Sequence, residues 1–426
     1  MKYKGIVLLI ILGFGWNVPD LAQPFEYPYE IEKYDFIRYD LNRFKFYEDS
    51  SNFEALYQIF DNLISKGEGK LKIVHIGGSH LQADVYSDRM RKRMQTFQPG
   101  INGGRGLVFP YKIAGTNNPT NFNVSYSGTW ENCKNVEKRK TCTLGLSGMS
   151  VTTYDTNSTL TISLPENQSV NYDFNTIKVF HQHDSLEYNF NLRSASIIQN
   201  IIVEKDYGYT EVLLEDYVDQ ITLTLEKKDS LQTRFVLYGL SLETQDPGVV
   251  YHSIGVNGAK IPSYLRCNMF SQHLQALEPD WVILSIGTND AYNRYFKSEE
   301  YKISYDSLLS LISQSVPNAA ILLTVPNDSY LYRRYINRNT DEVRKVINEL
   351  AREHHFGVWD FYSIMGGLNS IIIWQRFGLA RNDKIHFTRK GYILKGDLFF
   401  NAFLKGYDHY IDNKKVTQRS TKKRPL

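Results

Sequence analysis

Strand-like runs alternate with helix-like runs at both ends of this chain but not in its middle, and that interruption limits the folds open to it. Residues 52–65 place Phe53, Leu56, Tyr57, Phe60 and Leu63 on one helical face. Residues 71–76 read as a short buried strand, followed by Gly77-Gly78-Ser79-His80. A polar helix is expected over 84–95, with its Arg and Lys residues on the exposed face. After Gly248 the alternation returns, with strands at 251–256, 281–286, 320–325 and 357–361. Helices fall at 263–277, 304–315 and 341–354, and a last one runs from Thr388 to about Gly406. Such alternation indicates a parallel sheet covered on both faces.

Between 112 and 245 the texture is different. Short β-type runs occur at 122–126, 160–164, 176–180, 197–203, 220–225 and 234–240, separated by turn residues and with hardly a helical pattern among them. That spacing suits a β-sandwich. The predicted organisation is an α/β domain in two parts, 51–111 and 246–410, interrupted by an all-β domain at 112–245. With 426 residues the chain can support two cores.

The remaining segments are flanks. Lys2 and Lys4 precede an apolar run over 5–16, which Asn17, Pro19 and Asp20 end. Residues 1–23 are therefore expected to be a signal peptide, with an uncleaved signal anchor as the alternative. Export is the corresponding expectation, to the periplasm or cell envelope, with no further integral membrane domain. Residues 24–50 read as an extended arm over the surface, and 411–426 as a basic disordered tail. A net charge of +3 gives no case for a nucleic-acid partner. In an oxidising compartment Cys133 and Cys142 could pair, leaving Cys267 as a buried free thiol. His181 and His183 have the spacing of two ligands on a strand, but no third is evident. His75 and His252 read as structural histidines of core strands.

In open parallel sheets, ligands sit beyond the carboxyl ends of the strands. Four clusters fall there: Gly77-Gly78-Ser79-His80, Gly255-Val-Asn-Gly258, Gly287-Thr-Asn289-Asp290 and Asp383-Lys-Ile-His386. Each alone could be an ordinary turn. A serine hydroxyl is a weak nucleophile near neutral pH and needs a base, a group to orient that base, and donors for the oxyanion. Ser79 follows two glycines at a strand-to-helix turn, His386 can act as base, and Asp383 can orient it. The Ser79 and Gly258 N–H groups and the Asn289 side-chain amide would supply the oxyanion donors.

This ordered set resembles the SGNH (GDSL-like) hydrolase superfamily, whose four blocks contribute Ser, Gly, Asn and His. The likeness covers 71–95, 251–292 and 357–405. It implies a flavodoxin-like three-layer α/β/α fold, no metal or cofactor, and ester hydrolysis through an acyl-enzyme. Gly78 departs from the pattern, since the family has Asp before the serine. Its replacement is expected to slow the enzyme, and Gly78→Asp to restore turnover if the pocket has room and donors. A finer resemblance is to peptidoglycan O-acetylesterases, carried by the insert's position, by 103–110 (Gly-Gly-Arg-Gly-Leu-Val-Phe-Pro), by 253–259 and by 359–367. It implies a carbohydrate-binding-module-like insert and an acetylated glycan as partner. Two alternatives stay open: a glycan O-acetyltransferase using the same triad, and a non-catalytic glycan-binding protein.

Overall fold

The computed structural model describes residues 30–47, 51–165 and 170–422. The expected signal peptide at 1–23 lies outside the described residues. Five strands form one sheet: β1 (Lys70–Gly77), β2 (Gly248–Gly255), β3 (Trp281–Ser285), β4 (Ala320–Thr324) and β5 (Gly357–Trp359). Their order is β2-β1-β3-β4-β5 and every pairing is parallel. The order turns back at β1, so the crevice beyond β1 and β3 is the switch point at which such sheets bind ligands.

Period-two alternation feeds two cores. On one face Ile73, Val249, Tyr251, Trp281 and Leu322 join residues of helices Ser51–Lys66, Tyr86–Gln95 and Arg389–Lys422. On the other, Val74, Ile254, Val282 and Leu323 join residues of helices Phe270–Leu277, Ser298–Ser315 and Asn339–Glu353. This is the expected α/β/α arrangement.

The middle of the chain forms two antiparallel sheets. One has four strands, Asn123–Ser127, Thr159–Ser163, Gln220–Glu226 and Asn189–Arg193. The other has seven and is centred on Phe235–Glu243 and Phe174–His181. Those two central strands are buried along their whole length. One face packs on the four-stranded sheet; on the other, Phe180 packs at a tilt against His273 and Lys178 Nζ donates to the Ala276 carbonyl at 2.8 Å. The β region is thus docked on the α/β layer through a shared core. The expected start at 112 is too late, because Gly104–Val108 pairs with the strand Phe235–Glu243. Glycine permits that approach: a Cβ on Gly104, whose φ is +114°, would lie 2.7 Å from the Leu242 carbonyl oxygen.

Four further expectations are corrected. The helix at 263–277 is two helices, Ile261–Tyr264 and Phe270–Leu277, because the backbone between them turns to the insert: Met269 N–H donates to Leu144 O. Arg91 and Arg93 of the polar helix are buried, because Asp84, Asp88 and Asp397 meet them inside the fold. The arm does more than cover the surface. Asn42 is buried against Leu398 and Trp359, Phe44 enters the core, and Lys45 pairs with Val358 at the sheet edge. The last helix passes Gly406 and continues to Lys422, where a disordered tail was expected. Tyr407 packs on Phe60, Tyr410 on Tyr57, and Lys414 pairs with Asp61.

Cys133 and Cys142 are joined in a disulfide, and Cys267 is free and buried. Both ring nitrogens of His75 are engaged, by Tyr251 Oη and Ser285 Oγ, each at 2.6 Å. His252 Nδ1 accepts from Leu107 N–H at 3.1 Å. His181 hydrogen-bonds Thr210, and burial lowers its pKa to about 3. Among the described residues, no group of three or more His, Cys, Asp or Glu is placed to hold a metal ion.

Candidate active site

Strand β1 ends at Gly77, and the short helix Ser79–Gln82 begins immediately beyond it. The turn is tight enough to need glycine. A Cβ on Gly77 would meet Ser285 O at 2.6 Å, and one on Gly255 would meet Gln82 N at 2.2 Å. Ser79 therefore sits above the carboxyl end of the sheet, with its N–H in the first helical turn, where helix geometry supplies no acceptor.

His386 reaches this point from the far end of the sequence. Its Nε2 lies 2.8 Å from Ser79 Oγ, and its Nδ1 lies 2.9 Å from Asp383 Oδ2. The other Asp383 oxygen accepts the Ile385 and His386 N–H groups, both at 2.9 Å. Lys384 between them has φ +58°, which closes the turn. Burial raises the Asp383 pKa, but those N–H groups and the His386 ring outweigh it, so the carboxyl stays below its ordinary value. A carboxylate, an imidazole and a hydroxyl are thereby linked in series, an arrangement able to draw a proton from the serine.

Asn289 lies on the helix Thr288–Ala291 beyond β3, and Gly258 in the loop beyond β2. Asn289 Nδ2 donates to Ala259 O at 3.0 Å and keeps a second hydrogen. Ser79, Gly258, Asn289 and His386 all line one cavity of about 510 Å³. The structure thus brings the five sequence-derived residues together, with Asp383 behind the imidazole.

Three further residues support the site. Gln82 Oε1 accepts the Asn257 N–H at 2.7 Å, and its Nε2 donates to Thr116 Oγ1 and Asn117 O. It therefore clasps the Gly258 loop and the first loop of the β region. His80 shares a hydrogen bond with Tyr392 Oη at 2.8 Å and packs its ring 5.0 Å from that of His386. Burial first, and then His386, push its pKa well down, so it is a neutral support for the imidazole. No motif singles out Gln82 or Tyr392. His80 is quoted in the first block, but nothing in the sequence gives it a role.

Residues 228–394 match the GDSL-like Lipase/Acylhydrolase family, a span that includes Gly258, Asn289, Asp383 and His386 but not Ser79. That match and the geometry of the site support an SGNH-type hydrolase, a class that acts on ester bonds. In fold it is similar to a solved peptidoglycan O-acetylesterase, with TM-score 0.71, 20% identity, and coverage of 86% of this chain and 99% of that one. An acetyl-xylooligosaccharide esterase from Geobacillus stearothermophilus is 20% identical over 37% of this chain and 73% of its own, with TM-score 0.31. A putative GDSL-like lipase from Parabacteroides merdae is 22% identical over the same shares, with TM-score 0.30. No curated protein matches the sequence.

Proposed function

We propose that this protein is an exported serine esterase that removes O-acetyl groups from a cell-envelope glycan, namely peptidoglycan. The observation that carries this reading is the continuous hydrogen-bonded series from Ser79 Oγ through His386 to Asp383. Ser79 Oγ attacks the acetyl carbonyl while His386 Nε2 takes its proton. The Ser79 and Gly258 N–H groups and Asn289 Nδ2 stabilise the oxyanion. Collapse expels the sugar oxygen, which takes the proton from His386 and leaves acetyl-Ser79. Water then attacks, with His386 again as base, and acetate departs. Asp383 holds the imidazole orientation and stabilises its charged form.

The glycan is inferred from the likeness to the O-acetylesterase structure, which matches 86% of this chain over 99% of its own length. Export follows from the apolar amino-terminal run and from the location of such a substrate. Among the described residues no helix is long and apolar enough to cross a membrane. The test is acetate release from O-acetylated peptidoglycan compared with O-acetylated xylan, with a soluble sugar acceptor added in a parallel reaction. Faster release from peptidoglycan, without acetylated acceptor, is expected. Acetylated acceptor as the main product would make the protein a transferase, and no reaction on either glycan would remove the reading.

A further inference from the structure

The cavity that contains Ser79 carries a charge pattern that the hydrolysis of an acetyl ester does not require. Its walls include the neutral amides Gln82, Asn117, Asn118 and Asn257, and one permanently charged side chain, Arg381. Among the described residues no Asp or Glu lines it. Asp383, behind His386, is already committed to that ring and to two N–H groups. Arg381 is held by its backbone within the catalytic loop: its N–H donates to His386 O at 2.8 Å and its carbonyl accepts from Lys384 N–H at 3.0 Å. Its guanidinium, by contrast, has no hydrogen bond or ion pair among the described residues. An arginine fixed at its Cα, open at its head and set in a wall of neutral amides suits an anion presented by the substrate.

We propose that Arg381 is a specificity residue that binds a carboxylate carried on, or next to, the acetylated sugar. The preferred substrate is then an acidic acetylated glycan, and neutral acetylated polysaccharides are turned over less efficiently. The inference rests on the reading of this cavity as the ester-cleaving site and adds the charge of the substrate to it. The planar guanidinium forks onto both carboxylate oxygens, whereas the Asn117 amide, and the Asn257 amide beyond its bond to Thr116, can bond sugar hydroxyls of either kind of glycan. Because the site is open to solvent, the preference weakens as salt rises.

The experiment uses the full chain and two forms of one O-acetylated amino-sugar oligosaccharide, one with a free lactyl carboxylate and one with that carboxylate converted to its methylamide. For the wild type, kcat/KM is expected to favour the acid by on the order of 10- to 100-fold, the range of a hydrogen-bonded charge pair. Arg381→Gln should bring that ratio close to one, whereas Arg381→Lys should keep part of it. Binding of the same two oligosaccharides to the Ser79→Ala protein, with and without Arg381→Gln, is measured by calorimetry as a readout independent of turnover. Equal binding and equal kcat/KM for acid and amide in the wild type, or a preference that survives Arg381→Gln, would overturn the assignment. If neither oligosaccharide nor a simple acetyl ester is hydrolysed but the acid binds better through Arg381, the carboxylate site stands and the esterase reading falls.

Discussion

Arg105, on the first strand of the β region, closes on the carboxylate of Asp84, which follows the Ser79 helix by two residues. Arg91 meets the same carboxylate at 3.1 Å, and Asn121 and Ser87 complete its shell. All of these side chains are buried. The β region thus anchors the segment that carries the nucleophile.

Removing the charge at Asp84 would leave two buried guanidinium groups short of a counter-ion. Asp84→Asn is expected to cost about 3–5 kcal/mol in stability, measured by urea unfolding at neutral pH. Burial raises the Asp84 pKa, but Arg91 and Arg105 overcome it and hold the carboxyl far below its ordinary value. A depressed carboxyl stabilises the fold above its unfolded pKa, near 4, and that stability is lost as pH falls below it. Acid unfolding of the wild type should therefore set in below about pH 4 with an Asp84 contribution that the variant lacks. A variant as stable as its parent would refute the anchoring role.

Gly78 bears on the oxyanion donors. A Cβ there would sit 3.3 Å from Asn289 Nδ2, and an added carboxylate would compete for the hydrogens of that amide. That contact argues that the pocket lacks the room on which a benefit from restoring the acid depends. Gly78→Asp should lower kcat on p-nitrophenyl acetate by about 10-fold or more, since displacement of a reacting group by roughly 1 Å costs about 100-fold. An increase in kcat with an unchanged melting temperature would show that the amide accommodates the acid.

Lys395 is a buried cation whose Nζ lies 4.6 Å from the centroid of the Phe361 ring and 4.7 Å from that of Tyr86. Burial lowers its pKa to about 7. Between about pH 7 and the ordinary lysine value near 10.4, unfolding takes up a proton, so this group makes stability rise with pH across that window. Lys395→Met should raise the melting temperature by a few degrees at pH 7, with the gain shrinking by pH 9. A loss of stability at pH 7 would mean that the aromatic rings hold the ammonium more strongly than burial penalises it.

Ser79, Gly258 and Asn289 were legible in the sequence because each follows a strand end that the strand pattern aligns, whereas Asp383 and His386, two helices beyond the last strand, were legible by their Asp-x-x-His spacing. Gln82, Tyr392 and Arg105 were not, because what they do depends on partners far along the chain. Gln82 acts through Asn257, 175 residues away, and Tyr392 through His80, 312 residues away. The buried Arg91 and Arg93 were misread for a related reason. On a polar helix they look solvated until Asp84 and Asp397 are folded beside them. The strand Gly104–Val108 escaped notice because it is three-fifths glycine and arginine, with little of the β-branched or aromatic character that marks strands.

The central claim is that Ser79 and His386 act as one unit, and the most direct measurement is a double-mutant comparison of kcat on p-nitrophenyl acetate. Ser79→Ala and His386→Ala should each lower kcat by on the order of 10³-fold or more, and the double variant should be no slower than the worse single one. Losses that multiply in the double variant, or substantial turnover left without Ser79, would contradict the account.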